Sequence, residues 1–316
     1  MKPIYTIVVP VYNEEPVIEE TYKRLTAVME QTGGPYEIIF INDGSIDSSA
    51  IIIKKIAESD NHIRLVDFSR NFGHQPAITA GMDYAKGDAV VIIDADLQDP
   101  PEVILQMIDK WKEGYEVVYG KRTERKGETF FKKSTANLYY RFLRFMTSVD
   151  IPVDTGDFRL IDRKVIEAMK RINEKNRYVR GLISWVGFRQ TYVEYTREKR
   201  FAGETKYPLK KMIALAINGI ASFSYKPLKF ATSFGILLSC FGFIYMIIVI
   251  FQRLFTDTTI QGWASLIIIL LFTQGITLIV LGLIGEYIGR IYDEAKDRPV
   301  YIVREEIGGG VKSMGS

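Results

Sequence analysis

The chain has 316 residues, a formal net charge of +3, 47% hydrophobic residues and one cysteine. That length accommodates a large catalytic domain with a full core plus an appendage. The small charge argues against nucleic acid as a partner, and the lone Cys240 excludes an intrachain disulfide. The N-terminal stretch "MKPIYTIVVPVYNEE" shows no legible signal peptide or cleavage site, so the soluble part is expected to begin on the cytosolic side.

Strand and helix signals alternate through the first 200 residues. Ile4–Val11 reads as a buried strand, Glu14–Glu30 as a helix, Tyr36–Asn42 as a strand and Ser48–Glu58 as a helix. Ile63–Phe68, Ala89–Asp94 and Glu116–Tyr119 are further strands, with helices over Gln75–Lys86 and Glu102–Glu113. This alternation predicts an α/β fold with a mostly parallel sheet covered by helices on both faces. Sheets of that kind bind ligands at the carboxyl ends of their strands. Three strands run into polar, turn-rich sequence, "PVYNEE" at 10–15, "NDGSIDSS" at 42–49 and "DADLQD" at 94–99, so these loops are expected to line one crevice.

Asp94 and Asp96 leave the apolar run "VVII" two residues apart, close enough for both carboxylates to reach one ion, with Gln98 and "DPPE" following. Oxygen donors of this kind suit Mg²⁺ or Mn²⁺, whose shells are commonly completed by water and substrate phosphate. No Gly-x-x-x-x-Gly-Lys loop is present and no G-x-G-x-x-G follows the first strand, which argues against P-loop and dinucleotide enzymes. The two histidines, His62 and His74, are too far apart in sequence to form a metal motif.

Beyond residue 200 the composition changes. In "GETKYPLKKMIALAINGIASFSYKPLKF" the apolar residues from Leu209 to Phe223 recur at helical spacing behind Lys206, Lys210 and Lys211, the pattern of a helix lying in the headgroup plane. Phe230–Gln252 and Thr258–Gly285 contain no charged residue. Each run exceeds the roughly 20 residues needed to cross a bilayer. Lys226 and Lys229 precede the first run, Arg290, Lys296, Arg298 and Arg304 follow the second, and Arg253 alone is basic between them. That asymmetry places both termini in the cytoplasm. The expected organisation is a catalytic domain over 1–200, a phosphate loop and interfacial helix over 201–229, two transmembrane helices over 230–288 and a cytoplasmic tail over 289–316.

Together, "IVVPVYNEE", "FINDGSIDSS", "RNFGHQPAITAGMDYAKGD", "VVIIDADLQDPPE" and "RFAGETKY" resemble the family-2 GT-A glycosyltransferases, in the branch that charges polyprenyl phosphate. The two-span hairpin is more similar to bacterial polyisoprenyl-phosphate glucosyltransferases than to the shortest dolichyl-phosphate mannosyltransferases. The resemblance implies a metal-dependent, inverting transfer from a nucleotide sugar to a lipid phosphate at the cytoplasmic face of the inner membrane, by a homo-oligomer, in that family a tetramer. It places the base and ribose on Pro10, Tyr12, Glu14 and Asp43, with Asp94 also at the nucleotide, the cation on Asp94, Asp96 and Gln98, and the phosphates on Arg200 and Lys206. Catalytic roles fall on Asp96, Asp157 and Arg200.

A lipid phosphate is largely dianionic at neutral pH and hardly needs a general base. Asp157, in "DTGDFRL", is therefore expected either to act as base or to orient the sugar or a basic residue such as Arg159. Arg122, directly after "VVYGK", and Lys132 are candidates for the acceptor phosphate, among a wider basic set that includes Lys121, Lys133, Arg177 and Arg180. UDP-glucose is the expected donor, with GDP-mannose, UDP-N-acetylglucosamine and modified pentoses as the alternatives. A processive polysaccharide synthase would carry a Q-x-x-R-W motif that is absent around Trp185, and a non-catalytic nucleotide-sugar sensor would not need a full cation site.

Overall fold

The computed structural model describes residues 2–123, 155–198, 226–255 and 262–309. The first block contains β1 (Tyr5–Val11), α1 (Ile18–Glu30), β2 (Tyr36–Asn42), α2 (Ser49–Ser59), β3 (Ile63–Phe68), α3 (His74–Tyr84), β4 (Ala89–Ile92), α4 (Val103–Lys112) and β5 (Val117–Arg122). Further along come β6 (Thr155–Asp162), α5 (Arg163–Lys170), α6 (Val179–Trp185), β7 (Gln190–Tyr195), α7 (Lys226–Phe255), α8 (Trp263–Ala295) and β8 (Val303–Gly308).

Among the described residues the strands form one eight-stranded sheet in the order β7-β5-β6-β4-β1-β2-β3-β8. β3, β2, β1 and β4 run parallel, so their carboxyl ends share one edge. β6 is antiparallel to both β4 and β5, β7 is parallel to β5, and β8 is antiparallel to β3. This mixed, mostly parallel sheet with helices on both faces is the GT-A-like α/β fold that the sequence predicts.

Strands buried on both faces read as continuous apolar runs rather than alternating ones. Ile7, Val9 and Val11 of β1 pack with Leu25 of α1, Ile53 of α2 and Met107 of α4. Val8, pointing the other way, packs with Ala77 and Ile78 of α3, in the layer that also takes Ile166 of α5 and Leu182 of α6. Gly81 lets α3 lie directly on β1, because a Cβ there would run into the side chain of Val8.

Several element ends differ from the sequence reading. α1 starts at Ile18 rather than Glu14, because Asn13 takes a left-handed conformation (φ 54°) and turns the chain first. β4 stops at Ile92, releasing Asp94 into a loop, and β5 continues to Arg122 through pairing with β7. The largest difference is at the C-terminus, where residues 303–308, read as part of a tail, form the edge strand β8 of the catalytic sheet. A buried ion network holds it there. Arg64, 4% exposed, donates to Glu37 Oε2 (2.8 Å) and Glu306 Oε1 (2.6 Å), while Glu37 Oε1 accepts from Thr6 Oγ1 and Lys86 N. Gly308 (φ 92°) lies against the Ile63 carbonyl, where no Cβ fits.

α7 and α8 are 30 and 33 residues long; α7 spans the first apolar run and α8 takes up the second from Trp263. Within α8, Phe272–Ala295 is long and apolar enough to cross a membrane, and its apolar window has no buried share. The helix does not end where the uncharged run ends at Gly285 but continues to Ala295, about 15 Å further at 1.5 Å per residue. The interfacial helix expected before α7 lies outside the described residues.

Candidate active site

The loops after β1 and β2 are stitched to each other. Asn13 N donates to Ser45 Oγ (2.9 Å), Ile46 N to Asn13 Oδ1 (2.9 Å), Glu14 N to Ser49 Oγ (3.0 Å) and Ser48 N to Glu15 Oε2 (3.0 Å). The short polar residues of "NDGSIDSS" therefore satisfy the backbone of the neighbouring loop. Tyr12 is exposed on this rim and Glu14 half-buried, while Pro10 is buried within β1, opposite Ile41, and presents no open surface. Asp43 is 3% exposed and works on the backbone: Oδ1 accepts from Phe72 N (2.7 Å) and Oδ2 from Gly73 N (2.9 Å). Burial raises its pKa and these amide bonds oppose the rise. Its visible task is to pin the "RNFG" turn against the β2 loop, where Gly44 (φ 64°) passes so close to Arg70 and Asn71 that a Cβ would collide with their backbone.

The β4–β6 register explains the centre of the site. Ile92 lies opposite Arg159, so two residues further on an antiparallel ladder Asp94 comes level with Asp157. His74, the first residue of α3, sits between them, its Nε2 3.2 Å from Asp157 Oδ2 and 3.6 Å from Asp94 Oδ1. Arg180, from α6, forks onto Asp157, with Nε to Oδ1 at 2.7 Å and Nη2 to Oδ2 at 2.8 Å. Burial of Asp157, 6% exposed, pushes its carboxyl up, but the charges and hydrogen bonds of Arg180 and His74 together outweigh this and hold it well below the usual range. An arginine-locked carboxylate of that kind is a poor proton acceptor and a good anchor. Arg159 is not its partner: that side chain is buried, donates to Gly156 O (2.8 Å) and is lowered to about 10 by desolvation.

Burial raises Asp94 to about 6, with His74 opposing and Asp157, Asp99 and Asp96 adding to the rise. Asp96 is buried, and its Oδ1 accepts from Gln98 N (3.2 Å) across a turn in which Leu97 is left-handed (φ 55°). Gln98 O accepts from Glu198 N (2.9 Å), and Arg24 of α1 ties Glu198 to Glu102 at the head of α4. The loop carrying the two carboxylates is thus fixed from several sides. Among the described residues no three His, Cys, Asp or Glu side chains form a metal cage. The oxygen donors of Asp94, Asp96 and Gln98 nevertheless fit Mg²⁺ or Mn²⁺, ions usually held by one or two carboxylates with substrate phosphate and water completing the shell.

On the opposite face, Asp99 is 1% exposed, accepts from Tyr195 Oη (2.6 Å) and lies 3.6 Å from Arg122 Nη2 and 3.5 Å from Arg197 Nε. Arg122, a candidate for the acceptor phosphate, lies at the end of β5, where it faces Asp99 and its Nε donates to Tyr195 Oη (3.2 Å). Arg180, grouped in the sequence with the basic candidates, belongs to Asp157. Of the His74–Asp157–Arg180 cluster the sequence singled out Asp157, in "DTGDFRL", and grouped Arg180 only with the basic candidates; their pairing, and the place of His74 between Asp157 and Asp94, depend on contacts distant in the chain. Lys132, Arg200 and Lys206 lie outside the described residues.

Comparison with known proteins identifies the family. Residues 6–169 match Glycosyl transferase family 2, and residues 226–291 match the GtrB C-terminal hairpin. The uncharacterized glycosyltransferase YkcC of Bacillus subtilis (strain 168) is 66% identical over 304 residues, 96% of this chain and 94% of that protein. The bactoprenol glucosyl transferase of Shigella phage SfV is 42% identical over 301 residues, 95% of this chain and 98% of that one. Among solved structures, glucosyl-3-phosphoglycerate synthase from Mycobacterium tuberculosis aligns at 20% identity over 69% of this chain and 78% of that chain with a TM-score of 0.45, too loose to speak for ligands. The sheet, the family match over its catalytic half and the hairpin match beyond it make this chain a member of glycosyl transferase family 2 with a GtrB-type C-terminal hairpin.

Proposed function

We propose that the protein transfers glucose from UDP-glucose to a polyprenyl phosphate at the cytoplasmic membrane face. The observation that carries this reading is the seating of a two-carboxylate loop beside an arginine-locked aspartate, in a chain that continues into long apolar helices. The 42% identical relatives named bactoprenol glucosyl transferase support the sugar and the acceptor class.

In this reading the C1–oxygen bond to the diphosphate breaks as a lipid-phosphate oxygen bonds to C1 from the opposite face, and UDP departs with the electron pair. The acceptor is already ionised, so no side chain has to remove a proton. Asp96 and Asp94, with Gln98, hold Mg²⁺ or Mn²⁺, which when bound stabilises charge on the departing diphosphate. Asp157, kept anionic by Arg180 and His74, positions the sugar. Tyr12, Glu14 and Asp43 form the nucleotide end of the crevice, with Pro10 shaping the β1 exit. Arg200 and Lys206 serve the diphosphate, Lys132 the approach of the acceptor, and Arg122 acts through Asp99. The hairpin crosses the inner membrane twice with both termini cytoplasmic, in a tetramer.

The test is to incubate membranes carrying the protein with a panel of labelled sugar nucleotides and polyprenyl phosphate, and to count label in the organic phase. Label from UDP-glucose alone is expected. Label from GDP-mannose alone would replace the donor, and no label from any donor would overturn the reading.

A further inference from the structure

A cleft of about 620 Å³ opens where the extended end of α8 meets the catalytic layer, within the size range of small-molecule sites. Its walls carry Arg70, Lys175 and Arg177 from the catalytic side and Arg290, Lys296 and Arg298 from the helix side, against one carboxylate, Asp293. Three of these cations have acidic partners: Lys175 with Asp297 (2.7 Å), Arg290 with Glu286 (2.9 Å) and Lys296 with Asp293 (3.5 Å). Arg70, Arg177 and Arg298 have no carboxylate within ion-pair distance among the described residues. Arg70 lies over the Phe72 ring (4.0 Å), and Arg177 donates to the carbonyls of Ile172 and Glu174. Glu174 and Asp83 lie near enough to Arg177 to feel its charge, but six cationic side chains against one carboxylate in the wall leave the cleft positive, a receptor for a multivalent oxyanion, and the planar guanidinium suits phosphate oxygens.

Position narrows the ligand further. The cleft lies where α8 leaves its apolar run, the depth of lipid headgroups, and Phe72, Pro76 and Pro299 give it an apolar wall. It also touches the candidate active site. His74 and Gln75 are consecutive: His74 contacts Asp157, while Gln75 lines the cleft and its Oε1 accepts from Val179 N (2.9 Å), one residue before Arg180. The cleft and the carboxylate cluster therefore share the first turn of α3.

We propose that this cleft seats the phosphate of a lipid phosphomonoester, the acceptor of the transfer proposed above, with Arg177 and Arg298 as its clamp and Arg70 at its mouth. The assignment rests on that reading of the reaction. It also gives β8 a purpose: by returning from α8 to the edge of the catalytic sheet, the chain brings Arg298 to the cleft that Arg70 also lines.

The experiment measures acceptor KM, donor KM and kcat for the full-length protein, Arg298→Gln, Arg177→Gln and the double variant, alongside direct binding of a fluorescent polyprenyl monophosphate without donor. Acceptor KM and probe Kd should rise about tenfold for one arginine and further for two, as loss of a charge-assisted bond to phosphate implies. Donor KM should stay unchanged. Arg298→Gln keeps the test sound if Arg177→Gln loosens the 172–177 turn. Unchanged acceptor KM and probe Kd in an enzyme that transfers sugar would overturn the cleft while leaving the reaction standing. Loss of binding to phosphatidylglycerol vesicles with unchanged acceptor KM would also overturn it, making the cleft a seat for bulk headgroups. If the wild type transfers no sugar, the reaction fails, and the probe titration still decides whether the cleft binds lipid phosphate.

Discussion

Asp157→Asn removes the charge that Arg180 and His74 share, and its cost is calculable from the contacts. Asp157 is 6% exposed and accepts two guanidinium bonds of 2.7 and 2.8 Å, while Arg180 keeps 26% of its side-chain surface exposed. Breaking a fully buried pair by deleting one partner costs about 3–5 kcal/mol. Because Arg180 is partly hydrated, about 2–3 kcal/mol is the better figure. For a unit of 150–250 residues that lowers Tm by roughly 5–10 °C. The pH dependence follows from the depressed carboxyl of Asp157. A group depressed in the folded state stabilises above its unfolded pKa of about 3.9 and loses that contribution only as pH falls through the lower folded value. The Tm gap between wild type and variant should therefore not close as pH falls from 6 to 5, because Asp157 stays ionised there and protonation of Asp94, raised to about 6 in part by Asp157, relieves a repulsion that only the wild type has. Thermal unfolding in detergent at several pH values measures it. A gap under about 1 °C, or one that closes as pH falls from 6 to 5, would refute the arginine-locked carboxylate and restore Asp157 as a titrating base.

Asp96→Asn should abolish turnover while leaving Tm within about 2 °C of wild type, since asparagine keeps an oxygen that can accept from the Gln98 amide across the turn; wild-type turnover in the variant or in EDTA would contradict a cation at this loop. Arg64→Ala should lower stability by about 3–5 kcal/mol, because it strands Glu37 in the core, and limited proteolysis should then release the β8 segment. A cysteine in Thr258→Cys, made in a Cys240→Ser background, should label with an impermeant thiol reagent in intact cells. Labelling only after lysis would reverse the proposed topology.

The parallel half of the sheet was readable because β1 to β4 are continuous apolar runs ending in turn-rich loops, a pattern set by local composition. β6 and β7 were not read. "TGDFRLID" carries Asp157 and Arg159 among its apolar residues, and "QTYVEY" has a polar outer face, so neither resembles a strand buried on both sides. β8 was missed for a different reason. "VREEIG" is mostly charged, and it becomes a strand only because Arg64, far away in the chain, pairs with Glu306. In the site, Asp94 and Asp96 announced themselves through their placement after "VVII". Arg180 did not, because its role depends on a long-range register that sets Asp157 level with Asp94. The basic cleft was split in sequence: Arg177 stood among the basic candidates, Arg298 counted only toward topology, and Arg70 carried no signal.

The most direct test of the reaction is to identify both products. Purified protein with UDP-glucose, Mg²⁺ and a short polyprenyl phosphate should yield, by mass spectrometry and ³¹P NMR, a polyprenyl monophosphate hexose together with UDP in equal amounts. A lipid diphosphate sugar with release of UMP, or UDP release without a glycosylated lipid, would contradict the account.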